Sequence, residues 1–133
     1  MTLIVCVDDR GGMLFNGRRQ SSDRHVTQRI CDLAKKSRLL VNPYTAKLFS
    51  DDAVTCVDGM LQTAQAQDCC FVENEDITPF AEAAKKIILF RWNRIYPADL
   101  YFPMEVLEQR KLSSKEEFTG NSHERITMEV YTW

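Results

Sequence analysis

The hydrophobic and polar positions of this chain change their rhythm several times, and each rhythm predicts an element. Leu3 to Val7 is a continuous apolar run, the pattern of a strand covered on both faces and so central in a sheet. Asp8-Asp9-Arg10-Gly11-Gly12 ends it with turn chemistry. The polar, basic stretch from Asn16 to Asp23 reads as the entrance to a helix. From Asp23 to Lys36 the apolar positions Val26, Ile30, Leu33 and Ala34 recur at helical spacing. Ser21, Ser22 or Asp23 is available as N-cap, and Lys35-Lys36 suits the negative end of the helix dipole. Arg38 to Val41 makes a short strand. Asn42 can then cap, and Pro43 can open, a short helix over Tyr44 to Phe49.

The signal is weaker from Ser50 to Asp68, where Ala53 to Val57 predicts a strand and Met60 to Gln67 a helical turn or loop. Cys69 to Val72 predicts a strand, Glu73-Asn74-Glu75-Asp76 an acidic turn, and Ile77 to Ala84 a short helix containing Pro79. Lys86 to Trp92 is strongly strand-like, and Met104 to Gln109 suits a turn of helix. Lys111 to Phe118 and Arg125 to Trp133 flank Gly120-Asn121. With Ile126, Met128 and Val130 alternating, they predict an antiparallel hairpin that closes one sheet edge. No repeat or linker divides the chain, which implies a single α/β domain over residues 1–133.

Composition narrows the partners. With 133 residues, 44% of them apolar, an ordinary core can form without extra staples. Seventeen basic and nineteen acidic residues are interspersed, so no global field recruits nucleic acid or an anionic membrane. No apolar stretch approaches the roughly 20 residues of a membrane span. The five cysteines form an odd set among apolar neighbours, as expected of reduced thiols in a cytoplasmic protein. In a strand, Cys69 and Cys70 point to opposite faces, which disfavours a redox or metal pair. His123 has no further ligand or nucleophile at a recognisable spacing, so neither a metal site nor a nucleophilic triad is expected. Glycine-rich nucleotide loops, zinc-protease and nucleophile-elbow motifs are absent.

The order of several short motifs is more specific than any one of them. Leu3 to Asp8, Gly11-Gly12-Met13, Asn16-Gly17 and Asp23 come first. Lys86-Ile87-Ile88-Leu89, then Asp99-Leu100-Tyr101-Phe102-Pro103, and finally Asn121-Ser122-His123 with Ile126 to Tyr131 follow. In this order they resemble the dihydrofolate reductase family. That resemblance implies a dihydrofolate-reductase-like three-layer α/β fold of reduced size, with a mixed, mostly parallel sheet and a C-terminal antiparallel hairpin. It also implies that Asp23, as an ionised carboxylate, binds the amidine-like edge of a heterocycle. Arg18, Arg19, Gln20, Val5 and Thr45 would complete the ligand-binding set. The reading of Asp23 that needs no ligand is a helix N-cap, and the basic cluster Arg18, Arg19, Arg24 and Arg29 can equally be a solvated face.

The departures from the family concern the cofactor. Where the family has Gly-Arg-x-Thr at a phosphate-binding helix, this chain has Asn42-Pro43-Tyr44-Thr45, and Pro43 removes a backbone donor. The family's Gly-Gly-x-x-x-Tyr segment, where the pyrophosphate of NADPH rests, has no counterpart, and its strand and helix read as deleted. The proline and tryptophan that precede the acid are also missing, and Phe90 stands where the family has a hydroxyl. The expectation is a small-ligand protein, for a pterin or nucleotide, without NADPH-dependent hydride transfer, cofactor or metal. The alternatives are a homodimeric interaction module and a genuine reductase with an altered mode of cofactor binding.

Overall fold

The computed structural model describes all 133 residues. Its main sheet has seven strands: β1 (Thr2–Val7), β4 (Leu39–Val41), β5 (Thr55–Cys56), β6 (Cys69–Phe71), β7 (Lys86–Arg91), β9 (Lys111–Phe118) and β10 (Ile126–Thr132). They lie in the order β5-β4-β6-β1-β7-β10-β9. The first five in that row are parallel, and β10 and β9 are antiparallel to their neighbours. The apolar run of β1 is central: Leu3 pairs with Cys70 of β6 on one side and with Ile87 of β7 on the other. The terminal hairpin forms the predicted edge, with a register shift between Val130 and Tyr131.

The sheet separates two cores, because alternate residues of each strand face opposite ways. Leu3, Val5, Cys70, Val72, Ile87 and Leu89 pack on one face beneath α3 (Met60–Thr63) and the segment around α4 (Thr78–Ala81). Ile4, Cys69, Phe71, Ile88 and Phe90 pack on the other beneath Val26, Ile30 and Ala34, which belong to or end α1 (Arg24–Leu33). Cys69 and Cys70 thus fall on opposite faces, and all five cysteines are free. Helices on both faces of a mixed, mostly parallel sheet make the three layers expected from the sequence. No helix is long and apolar enough to cross a membrane.

Two differences from the sequence reading matter for the site. The stretch after Gly12 is not a simple helix entrance: β2 (Gly12–Phe15), β3 (Arg18–Arg19) and β8 (Leu100–Tyr101) form a second, three-stranded sheet in the order β3-β2-β8. The helix expected over Tyr44 to Phe49 is the single turn α2 (Pro43–Ala46), because Leu48 and Phe49 bond back only three residues, to Thr45 and Ala46. β6 lies between β4 and β1, and the acidic turn and α4 follow it.

Phe90 is wholly buried and meets Phe118 edge-on with ring centroids 6.3 Å apart. Phe90→Ala should lower unfolding free energy by about 3–5 kcal/mol, the usual cost of emptying a core aromatic site, as measured by chemical denaturation.

Candidate functional site

The C-terminal ends of the parallel strands, where open α/β sheets place ligands, carry three polar clusters. The first surrounds Asp23. It caps α1, and its carboxylate accepts hydrogen bonds from the N–H of His25 (2.8 Å), Asn121 (2.9 Å) and Ser122 (2.9 Å), the Ser122 hydroxyl (3.2 Å) and His123 Nδ1 (2.9 Å). Burial of the Asp23 side chain opposes its charge. The N–H groups of Asn121 and Ser122, His123 and the N–H of His25 overcome that and hold its pKa far below the usual carboxylate range. The carboxylate that the resemblance offers to a heterocycle is taken up by the protein's own donors, and its side chain has no exposed surface. His123 is itself buried, stacked on Trp92 with centroids 4.7 Å apart, and its Nε2 lies 2.8 Å from Ser21 Oγ.

The second cluster is centred on Glu73, just beyond β6. Arg19 meets it with two bonds, Nε to Oε2 at 2.8 Å and Nη2 to Oε1 at 3.0 Å, and the Thr45 hydroxyl donates to Oε1 at 2.9 Å. The guanidinium also lies over the Tyr44 ring, 4.4 Å from its centroid, while the Tyr44 hydroxyl accepts from the Arg19 N–H. Its hydrogen bonds to Glu73 raise the Arg19 pKa. Beside this cluster, Asn42 Oδ1 accepts from the Thr45 N–H at 3.0 Å. Asn42 Nδ2 donates to Asn74 at 2.7 Å and Glu75 at 2.9 Å.

The third cluster holds the glycine loop. Asp8, fully buried, accepts from the N–H of Gly12 (2.8 Å), Arg10 (2.9 Å) and Tyr96 (3.0 Å) and from Gln20 Nε2 (3.2 Å). Burial raises its pKa, but these donors outweigh it and leave the net shift downward. Gln20 Nε2 also reaches Pro97 O at 3.3 Å, which turns the amide so that its Oε1 is buried with no donor. Gly12 is needed for close approach: a Cβ there would sit 2.6 Å from Ala98 Cβ and 2.7 Å from Gln20 Nε2.

The structure therefore gathers some of the sequence candidates and separates others. Arg18, Arg19 and Gln20 line one cleft of about 510 Å³ together with Phe15, Asn16, Tyr96 and Pro97. Thr45 joins them only through Glu73, while Val5 is wholly buried in the core. Asp23 borders a different cavity, of about 300 Å³, with Ser22, Arg24, Thr27, Leu48, Asn121 and Ser122. No group of three or more His, Cys, Asp or Glu side chains converges as a metal-ligand set. The sequence reading missed Glu73, Asp8, Ser21 and His123 as organising residues. Only the unusual density of acids over Glu73 to Asp76 hinted at any of them.

These features define a three-layer α/β protein with polar clusters at the carboxyl ends of its parallel strands. Among solved structures its fold matches dihydrofolate reductase from Enterococcus faecalis, complexed with NADP(H) and RAB-propyl. The TM-score is 0.71 at 9% identity, over 98% of this chain and 94% of that one. The chain thus has the dihydrofolate-reductase-like fold. No family model and no curated protein matches its sequence.

Two outcomes follow from the Asp23 cluster. A Cβ at Gly120 would lie 2.5 Å from Asp23 Oδ2 and 2.8 Å from Ile126 Cδ1, so Gly120→Ala should destabilise the fold by about 1–3 kcal/mol in thermal or urea unfolding. Asp23 is more acidic folded than unfolded. Its contribution is complete above the unfolded carboxylate value of about 4 and is lost as pH falls toward the folded value. Asp23→Asn should lower stability at neutral pH and flatten the acid limb of the stability–pH curve.

Proposed function

We propose that this protein binds a small planar, anionic compound of the pterin or nucleotide class and does not transfer hydride from NADPH. One observation carries the reading: the 510 Å³ cleft combines Phe15 and Tyr96 with the free cation Arg18. Its volume is that of an ordinary ligand cleft. Aromatic walls stack on a flat ring, and a guanidinium matches a carboxylate or phosphate. A heterocycle with an anionic substituent supplies both.

The reductase cofactor fits these residues poorly. A pyrophosphate needs free N–H groups and positive potential. The turn after β6 is instead Glu73-Asn74-Glu75-Asp76. At α2, Pro43 has no N–H, and the N–H groups of Thr45 and Ala46 are bonded to Asn42. Arg19, which reaches this turn, is neutralised by Glu73.

A second reading, a homodimer, is supported by β9. This edge strand runs eight residues and is exposed along almost its whole length. Antiparallel pairing of two copies about Ser114 would set Lys111 of each against Glu117 of the other, a favourable cross-strand pair.

Thermal shift against folates, pterins and nucleotides should find a compound that raises Tm by roughly 10 °C at a hundred times its Kd. Arg18→Ala or Tyr96→Ala should weaken binding about tenfold. A panel without any stabilising compound would sink the ligand reading, and NADPH oxidation dependent on dihydrofolate would overturn the denial of hydride transfer. Sedimentation at micromolar concentration should give a dimer that Lys111→Glu disperses if β9 is the interface.

A further inference from the structure

We propose that Ser21, His123 and Asp23 form a nucleophile, base and orienting group, and that the protein hydrolyses small carboxylic esters through Ser21. An ionised carboxylate can only accept, so the 2.9 Å contact between Asp23 Oδ2 and His123 places the imidazole proton on Nδ1. Nε2 is then left with a lone pair, and the Ser21 hydroxyl 2.8 Å away must donate to it. The proton of the nucleophile is already aimed at its base, which is the geometry of acyl-transfer serines on unrelated folds. The N–H groups of Asn121 and Ser122 already tie the hairpin turn to Asp23.

The surroundings suit the chemistry. His123 is fixed by the Trp92 ring at one face and by hydrogen bonds at both nitrogens. Ser21 is partly exposed, and its neighbour Ser22 opens on the 300 Å³ cavity whose only apolar lining residue is Leu48. The N–H groups of Ser22, Asp23 and Arg24 have no acceptor in the protein, which leaves them free to donate to a bound group. Arg24 lines the same cavity and forms no ion pair.

The step balances without a redox partner. Ser21 Oγ bonds to the carbonyl carbon as its proton passes to His123 Nε2. The ester C–O bond then breaks, and the departing alcohol takes that proton. Water enters by the same route, its proton going to Nε2 and its oxygen to the acyl carbon, and Ser21 leaves with the proton restored. This site is distinct from the Phe15–Tyr96 cleft, so acylation at Ser21 and ligand binding there succeed or fail separately.

Folded full-length protein treated with a fluorophosphonate probe, then mapped by peptide mass spectrometry, decides the matter. The expected result is a single adduct on Ser21, absent in Ser21→Ala and formed at least a hundredfold more slowly in His123→Gln. Hydrolysis of p-nitrophenyl acetate should fall in parallel in Ser21→Ala. Asp23→Asn should change the pH profile of labelling as well as its rate, and an unchanged profile would overturn the orienting role of Asp23. If Ser21 of the folded wild-type protein stays unmodified, the proposal is wrong whatever the variants do. Ester hydrolysis undiminished in Ser21→Ala would overturn it equally.

Discussion

A single buried carboxylate joins the two ends of this molecule. Asp23 and His123 are 100 residues apart in sequence, and the donors converging on Asp23 come from the start of α1 and from the turn between β9 and β10. A buried ion without partners costs several kcal/mol. The turn is therefore constrained to present its N–H groups, and Gly120 to leave room for them. The position of His123, its stacking on Trp92 and its reach to Ser21 all follow from where that charge must be satisfied. The hairpin is fixed to the helix by a solvation requirement as well as by the main-chain ladder between β10 and β7.

The second constraint is the concentration of acids at the end of β6. Arg19 and Thr45 bind Glu73, and Asn42 binds Glu75, so these charges are met internally. The neighbouring cleft of Arg18, Gln20 and Tyr96 stays open. A likeness of fold alone says nothing about the chemistry a chain has kept.

The parts of this organisation that the sequence discloses are those that depend on local periodicity. The apolar run of β1, the amphipathic face of α1 and the alternation of β10 are each written within one segment, and each predicted element forms. β2, β3 and β8 escape because two to four residues show no period, and their pairing is set by Asp8 and the glycine loop. Ser21 and His123 are the least legible, because their meeting depends on the closure of the whole sheet. Asp23 was recognisable as a singular residue, but its partners were not.

Sheet order also decides when the molecule can come together. β1 precedes its partners, and Thr2 pairs with Cys69 and with Lys86, so both of its edges stay open until β6 is made. At about 5–20 residues per second, that wait lasts roughly 3 to 13 seconds. During this time the most apolar segment of the protein is an unpaired strand, of the kind that templates aggregation. The central position that makes β1 the firmest part of the finished sheet makes it the most exposed part of the nascent one.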